Sequence, residues 1–165
     1  DITLESILDK VKSLGSQLVE VTGGEPLLQE ETPQLVDLLL ENGYTVLIET
    51  AGSIDISCVS DKAVRIVDMK CPGSGMQEKN FYGNLDLVTD KDEVKFVIKD
   101  KADFDWSVQL IKKHSLEDKT KVLISPVFGE VKEEDLAKWV LDSGLKVRMQ
   151  IQLHKIIWGP DKTGV

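Results

Sequence analysis

The sequence is short of the residues that build disulfide frameworks, histidine-rich metal sites and membrane spans. Its 165 residues include 2 cysteines and 2 histidines, which are too few for a disulfide framework or a histidine-rich metal site. No apolar run approaches the roughly 18–20 residues that cross a bilayer. We also expect no signal peptide. We therefore expect a reduced, cytoplasmic setting and no membrane partner.

The chain also lacks an excess of positive charge. It has 20 Lys and Arg against 29 Asp and Glu, a net charge of -9, which argues against nucleic acid and anionic membranes as main partners. Low-complexity segments, linkers and the glycine fingerprint of a dinucleotide-binding fold are absent as well. The composition that is present, 41% hydrophobic and 30% charged, predicts one globular domain over residues 1–165.

Hydrophobic periodicity predicts helices that alternate with strands. The predicted helices are Ile2–Leu14 (capped by Thr3 and ended by Gly15), Gln29–Asn42, Ala102–His114 and Glu133–Leu141. The predicted strands are a buried one from Leu18 to the Gly23–Gly24 pair, then Tyr44–Ile48, Ala63–Met69, Asp92–Lys99, Lys121–Pro126 and Lys146–Leu153. Residues 72–91 are long for a loop and predict a short helix or a lid, and residues 154–165 form a tail.

This alternation predicts the α/β fold class, with a mostly parallel sheet and right-handed crossovers. About six βα units are too few for a standard eight-fold barrel. The series starts with a helix, so we expect that a first strand before residue 1 is missing. The predicted architecture is an incomplete, TIM-like barrel.

Polar residues cluster where the predicted strands end. Because parallel strands place their carboxyl ends at one edge, we expect these side chains to converge there. They are Thr22, Glu25, Glu49, Thr50, Asp68, Lys70, Ser125, Gln152 and His154. Gly23 and Gly24 leave the main chain open to a ligand, and the Glu25 carboxylate suits a cationic ammonium group. The alternative at this point is a strand-to-helix turn with a solvated Glu25.

Several of these residues admit a structural interpretation beside a functional one. Asp68 and Lys70 share a strand face, so they form either an ion pair or a ligand clamp. Cys71 is a nucleophile or, as we favour, a buried inert thiol. Lys95 either extends to the edge of the sheet or, as we slightly favour, faces the site. His154 is a ligand-facing residue or simply a packed or exposed histidine.

Taken together, the motifs resemble one enzyme family. They are T-G-G-E-P at 22–26, E-T-A-G at 49–52, D-M-K-C-P at 68–72, E-V-K-F-V-I at 93–98, S-P-V at 125–127 and Q-L-H-K-I-I-W-G at 152–159. In this order they resemble the 7-carboxy-7-deazaguanine synthases, a branch of the radical SAM (S-adenosylmethionine) superfamily. The G-G-E-P motif marks only the superfamily, whereas the motifs at 68–72 and 152–159 are specific to the branch.

The resemblance implies a lyase that converts 6-carboxy-5,6,7,8-tetrahydropterin to 7-carboxy-7-deazaguanine with loss of ammonia, for queuosine and related deazapurine synthesis. It implies S-adenosyl-L-methionine, a 4Fe–4S cluster and Mg²⁺ as cofactors. A flavodoxin- or ferredoxin-like electron donor and a homodimer are further implied. A 5′-deoxyadenosyl radical, formed by one-electron cleavage of S-adenosylmethionine, would abstract hydrogen from the pterin.

The resemblance also implies roles for the residues at the predicted edge. Those for S-adenosylmethionine are Gly23, Gly24 and Glu25 at the methionine ammonium, Lys70 at its carboxylate and Ser125 near the nucleoside. Those for the pterin are Thr22 and Glu49 at its amide and amino edge, and Gln152 and His154, which close the pocket from the last strand. No catalytic side chain and no metal ligand is predicted among these residues.

One departure from the family pattern is serious. The superfamily binds its cluster with three cysteines spaced C-x-x-x-C-x-x-C, and Cys58 and Cys71 do not form this pattern. We therefore expect that the cluster-binding segment is absent and that these residues alone are inactive. The alternatives are another radical SAM enzyme, such as an activase of a partner protein, and a degenerate, non-catalytic domain that binds a nucleoside or acts as a scaffold.

Overall fold

A single parallel sheet organises the computed structural model, which describes residues 2–163. Its six strands are β1 (Leu18–Val21), β2 (Thr45–Thr50), β3 (Val64–Met69), β4 (Glu93–Ile98), β5 (Lys121–Pro126) and β6 (Arg148–Met149). Their spatial order is their chain order, and every neighbouring pair is parallel. This is the arrangement of a partial barrel, so the predicted fold class is confirmed.

Seven α-helices accompany the sheet in residues 2–163. They are α1 (Leu4–Leu14), α2 (Thr32–Glu41), α3 (Asn84–Leu87), α4 (Lys101–Lys113), α5 (Leu116–Lys119), α6 (Glu133–Ser143) and α7 (Leu153–Trp158). The predicted ends of α1 are confirmed, because the Thr3 side chain accepts a bond from the Ser6 amide and Gly15 ends the helix at φ 68°. None of the helices described here is long and apolar enough to cross a membrane.

The second helix begins later than the predicted Gln29. Residues Pro26–Leu28 form a separate 3₁₀ turn, which Glu25 caps by accepting a bond from the Leu27 amide. The α-helix starts at Thr32, with a proline in its first turn, where the missing N–H of proline costs nothing. In the segment 72–91, 3₁₀ turns at Pro72–Ser74 and Gln77–Lys79 precede α3, so the predicted short helix is present.

The two faces of the sheet differ in character. One face carries apolar side chains such as Ile48, Met69 and Phe96, which are fully buried in two core clusters. Since side chains alternate along a strand and register partners share a side, the opposite face carries the other residues of each strand. We call this the polar face, and its charged members include Glu20, Glu49, Asp68, Glu93 and Lys95.

Two strand predictions are wrong in detail. The first strand is not buried: within residues 2–163, β1 is an edge strand that pairs with β2 alone, and Leu18 is 55% exposed. The last strand covers Arg148–Met149 rather than Lys146–Leu153, and the predicted tail contains α7. The physical reason is the spacing of Leu153, Ile156 and Ile157, which is helical. A strand at the open edge of the sheet has only one neighbour to hold it extended.

A buried ion pair joins β3 and β4 at their amino ends. The Arg65 guanidinium lies 2.6 Å from Asp92, whose side chain is fully buried and also bonds to Lys91 and Thr89. Burial alone would raise the pKa of Asp92, but the hydrogen bonds from Arg65, Lys91 and Thr89 outweigh it and hold this pKa far below its ordinary range. The carboxylate is therefore ionised throughout the normal pH range.

We expect Asp92→Ala to lower the free energy of unfolding by about 3–5 kcal/mol, because it leaves the buried Arg65 unpaired. The exposed Asp105 also pairs with a lysine. As a control, Asp105→Ala should change the free energy of unfolding by no more than about 0.5 kcal/mol. Because the pKa of Asp92 is lower in the folded state than in the unfolded state, Asp92 makes its full contribution to the free energy of unfolding at neutral pH. The difference from wild type should shrink as the pH falls below about 4. Denaturant titrations at several pH values measure the loss of stability and its pH dependence. Equal effects of the two variants would contradict the stabilising role of the buried pair between Asp92 and Arg65.

Candidate active site

The loop after β1 is tied to the end of β2 by Glu25. Its carboxylate accepts bonds from the Thr50 hydroxyl at 2.7 and 2.9 Å, from the Ala51 amide at 2.8 Å and from the Leu27 amide at 3.0 Å. The loop leaves β1 through Gly23 at φ 139°, a conformation that side chains rarely adopt. The alternative of a strand-to-helix turn is present, with Glu25 as its cap, but the carboxylate is not simply solvated, because it fastens two neighbouring strand ends together.

A small pocket lies at this edge of the sheet, and we call it the edge pocket. Its volume is about 150 Å³, and it is lined by Thr22, Gly23, Gly24, Glu49, Thr50, Ala51, Asp68 and Lys70. The residues come from the carboxyl ends of β1, β2 and β3. The predicted convergence of polar groups is thus confirmed for these strands, and five of the predicted binding residues line one pocket.

Ion pairs set the charges around the edge pocket. Lys70 Nζ lies 2.6 Å from Asp68 Oδ2, and Lys95 Nζ lies 2.6 Å from Glu49 Oε1. Asp68 Oδ1 is buried and has no hydrogen-bond partner within residues 2–163. The pairing of Asp68 with Lys70 is confirmed, and both residues also line the pocket. The expectation that Lys95 faces the site is supported as well.

A larger cavity adjoins the edge pocket and shares Asp68 and Lys70 with it. Its volume is about 360 Å³, and its wall includes Cys71, Gly73 and Asp103. The Asp103 carboxylate, on α4, is 1% exposed and accepts bonds from the amides of Gly73 at 2.7 Å and Lys99 at 3.1 Å. These bonds fix the loop after β3 against the start of α4. We call these two adjoining spaces together the groove, and their lining residues come from the carboxyl ends of β1 to β5.

Cys71 is the buried thiol that the sequence favours. It is 1% exposed and unpaired. Burial, chiefly, and then the negative charge of Asp103 raise the pKa of this thiol far above its ordinary value. Because the thiolate is the nucleophile, the protonated Cys71 is inert at neutral pH.

Asn80 supports the site and was missed by the sequence analysis. Its amide accepts a bond from the Lys70 N–H and donates one to the Lys70 carbonyl, both at 2.9 Å. Asn84 similarly bonds the Ile54 carbonyl at 2.9 Å and the Ile56 N–H at 3.0 Å, and so holds the loop after β2. Neither asparagine belongs to a motif. Because their partners are 10 to 30 residues away in the sequence, local spacing could not predict these supporting bonds.

Four predicted site residues line neither space in the part of the chain that the structure describes, and these are Glu25, Ser125, Gln152 and His154. Ser125 is buried in β5 beside Val97, which does line the larger cavity. Gln152 and His154 stand at the start of α7 rather than on a strand, which corrects their predicted placement.

The start of α7 nonetheless lies near the carboxyl edge of the sheet. Lys155, in α7, places its Nζ 5.4 Å from the ring centre of Phe128, which follows the end of β5. Gln152 Oε1, at the first residue before the helix, is buried without a partner over residues 2–163. An unsatisfied buried acceptor at this position is suited to a ligand donor.

Within residues 2–163, no group of three or more His, Cys, Asp or Glu side chains is placed to hold a metal ion. Cys58 is exposed and Cys71 buried, and no third cysteine exists in the sequence. The three-cysteine ligand set of a 4Fe–4S cluster therefore does not fit the residues present.

Comparison with known proteins gives a consistent result. The chain is 44% identical over 162 residues to a 7-carboxy-7-deazaguanine synthase of Koribacter versatilis, with 90% of this chain and 72% of that protein covered. It is 39% identical over 167 residues to one of Chlorobaculum tepidum, covering 99% and 76%. It is 32% identical over 167 residues to one of Thermoplasma acidophilum, covering 100% and 78%. A scan against protein-family models found no match.

We expect Thr50→Val to loosen the loop after β1, because it removes the hydroxyl that bonds both oxygens of Glu25. Bonds to a charged group typically contribute about 1.5–3 kcal/mol, and the free energy of unfolding should fall by about that amount. Hydrogen exchange at the Leu27 and Ala51 amides should accelerate. The control is Thr45→Val, at the exposed start of the same strand, which should change neither quantity. Equal behaviour of the two variants would exclude this role of Thr50.

Proposed function

The chain belongs to the 7-carboxy-7-deazaguanine synthase family, and on this premise we propose that it binds S-adenosylmethionine and 6-carboxy-5,6,7,8-tetrahydropterin. The proposed reaction is a radical ring contraction with loss of ammonia that yields 7-carboxy-7-deazaguanine. The observation that carries this proposal is the edge pocket, where Thr22, Gly23, Gly24, Glu49 and Lys70 lie together. When bound and reductively cleaved, S-adenosylmethionine supplies the radical that abstracts hydrogen from the pterin.

The groove offers complementary groups for the amino-acid end of S-adenosylmethionine. The backbone at Gly23 and Gly24 borders the edge pocket without side chains, so its carbonyls are accessible to an ammonium group. Glu25 adds negative charge nearby, although its oxygens already accept bonds from the protein. The Lys70 ammonium would bind the carboxylate, with Asp68 as its present partner. We propose that Ser125 lies near the nucleoside.

The pterin would meet the polar face. A pterin presents adjacent N–H groups at its amide and amino edge, which a carboxylate accepts as a pair. Glu49 is the carboxylate that we propose for this contact, with Thr22 beside it in the edge pocket. Gln152 and His154 would close over the substrate from the start of α7. The chain's task in this chemistry is to orient both molecules and exclude water.

The cluster and its partners extend the proposal beyond these residues. Because the sequence holds 2 cysteines, we propose that the cluster ligands lie outside these 165 residues and that these residues alone do not turn over. The Mg²⁺ ion, a flavodoxin- or ferredoxin-like electron donor and a homodimer are likewise proposals that rest on the family.

A degenerate, non-catalytic nucleoside-binding domain is the second candidate. The shortage of cysteines favours it, whereas the intact set of polar residues around the edge pocket opposes it. Ion pairs such as Lys95 with Glu49, whose side chains are mostly withdrawn from water, are costly to keep without a ligand to bind. We therefore favour the enzyme.

Anaerobic reconstitution of the complete protein with iron and sulfide tests the choice. We expect cleavage of S-adenosylmethionine that depends on added 6-carboxy-5,6,7,8-tetrahydropterin, with 7-carboxy-7-deazaguanine as the product. Binding of S-adenosylmethionine without any cleavage would establish the degenerate domain instead. Cleavage of S-adenosylmethionine that does not depend on the added pterin would indicate another radical SAM reaction.

Substitutions on the two sides of the edge pocket should separate the two ligands. We expect Lys70→Met to weaken S-adenosylmethionine binding about ten- to a hundredfold, because one charge-assisted contact is lost. Glu49→Gln should raise KM for the pterin by a similar factor and leave the affinity for S-adenosylmethionine unchanged. Isothermal titration and initial-rate kinetics measure these effects. If both variants weakened the same ligand, the proposed division of the pocket would be wrong.

A further inference from the structure

The ion pair between Lys95 and Glu49 joins two strands that are not neighbours in the sheet. Glu49 lies on β2 and Lys95 on β4, with β3 between them. In register, Lys95 stands next to Asp68, whereas Glu49 stands next to Ile66. The Lys95 side chain nevertheless reaches over β3 to place Nζ 2.6 Å from Glu49 Oε1. Its direct neighbour Asp68 is paired with Lys70 instead.

A second carboxyl group, that of Glu20, lies near Glu49 on the side of β2 that faces away from β3. Glu20 lies on β1, the other neighbour of β2, and its side chain is on the same polar face as Glu49. Partial burial and the negative charge of Glu49 raise the pKa of Glu20, and Lys95 opposes this shift. Two carboxyl groups that lie close together tend to share one proton. Lys95, which lies within bonding distance of Glu49, is the cation that favours the charged form of Glu20.

Charged side chains from β1, β3 and β4 surround Glu49. They are Glu20 on β1, Asp68 and Lys70 at the end of β3, and Glu93 and Lys95 on β4. Lys70 is occupied by Asp68, and Glu93 lies 3.7 Å from Arg148. Only Lys95 among these cations bonds Glu49 directly over residues 2–163.

We propose that Lys95 is a positioning residue for the reaction. By holding Oε1 of Glu49, it fixes the carboxylate that binds the pterin and prevents that carboxylate from sharing a proton with Glu20. This inference rests on the proposed function, since it needs the pterin at Glu49. Lys95 itself need not touch either ligand: it acts through Glu49, which lines the edge pocket.

The inference predicts a specific pattern for Lys95→Met. Without the ammonium, Glu49 loses its anchor and shares a proton with Glu20, so the pterin meets a partly neutral, mobile group. We expect KM for the pterin to rise about tenfold or more, while KM for S-adenosylmethionine stays unchanged. The acid limb of the kcat/KM profile for the pterin should move to higher pH. Lys95→Arg, which keeps the charge, should restore most of the affinity.

Two further variants isolate the cause. Glu20→Gln in the Lys95→Met background removes the competing carboxyl, so the acid limb should return toward that of wild type. Arg148→Met is the matched control, because Arg148 shares the register row of Lys95 and pairs with Glu93 on the same face. It should leave both KM values and the pH profile unchanged.

The measurements are initial rates of the reconstituted complete protein from acidic to alkaline pH, together with titration of 6-carboxypterin, an oxidised analogue, into each variant. The affinity for this probe should fall in parallel with KM. A wild-type KM and pH profile in Lys95→Met, with active wild-type protein, would overturn the inference and leave the proposed function standing. A variant that only melts at lower temperature would equally show a structural role alone. Wild-type protein without pterin-dependent cleavage would overturn both.

Discussion

The carboxylate of Glu25 is the contact on which the geometry of the site depends. Its bonds to Thr50 and Ala51 hold the glycine loop after β1 against the end of β2. The loop has no side chains at Gly23 and Gly24 with which to anchor itself, so its position relies on this residue. The same exposed backbone that a ligand needs is thereby kept in one place. Asn80 and Asn84 do the same for the loops after β3 and β2.

The sheet separates stability from binding. At its amino ends, the fully buried Asp92 bonds Arg65 and joins β3 to β4 far from the groove. At its carboxyl ends, the ion pairs of Lys70 and Lys95 remain partly open to water. Side chains in that setting are held by one or two partners and stay within reach of a ligand. This division is typical of barrels, in which one end is structural and the other carries the chemistry.

The sequence predicted the groove better than it predicted the edges of the sheet. Strands β2 to β5 are flanked on both sides, so their apolar alternation dictates their conformation, and the polar residues at their ends converge as expected. Strand β6 has one neighbour, and there helical spacing overrode the expected extension, which moved Gln152 and His154 onto α7. Lys95 was recognised as facing the site, but its partner across β3 depends on register, which the sequence does not encode locally.

Gly73 carries a consequence for how the chain tolerates variation. The residue is exposed, yet a Cβ atom there would lie 2.6 Å from Asp103 Oδ2. Asp103 is buried and held by two backbone amides, so it has no room to retreat. A saturation library of this gene would therefore record position 73 as intolerant, although its surface location resembles that of freely mutable sites. Surface accessibility would misjudge the evolutionary constraint at this glycine.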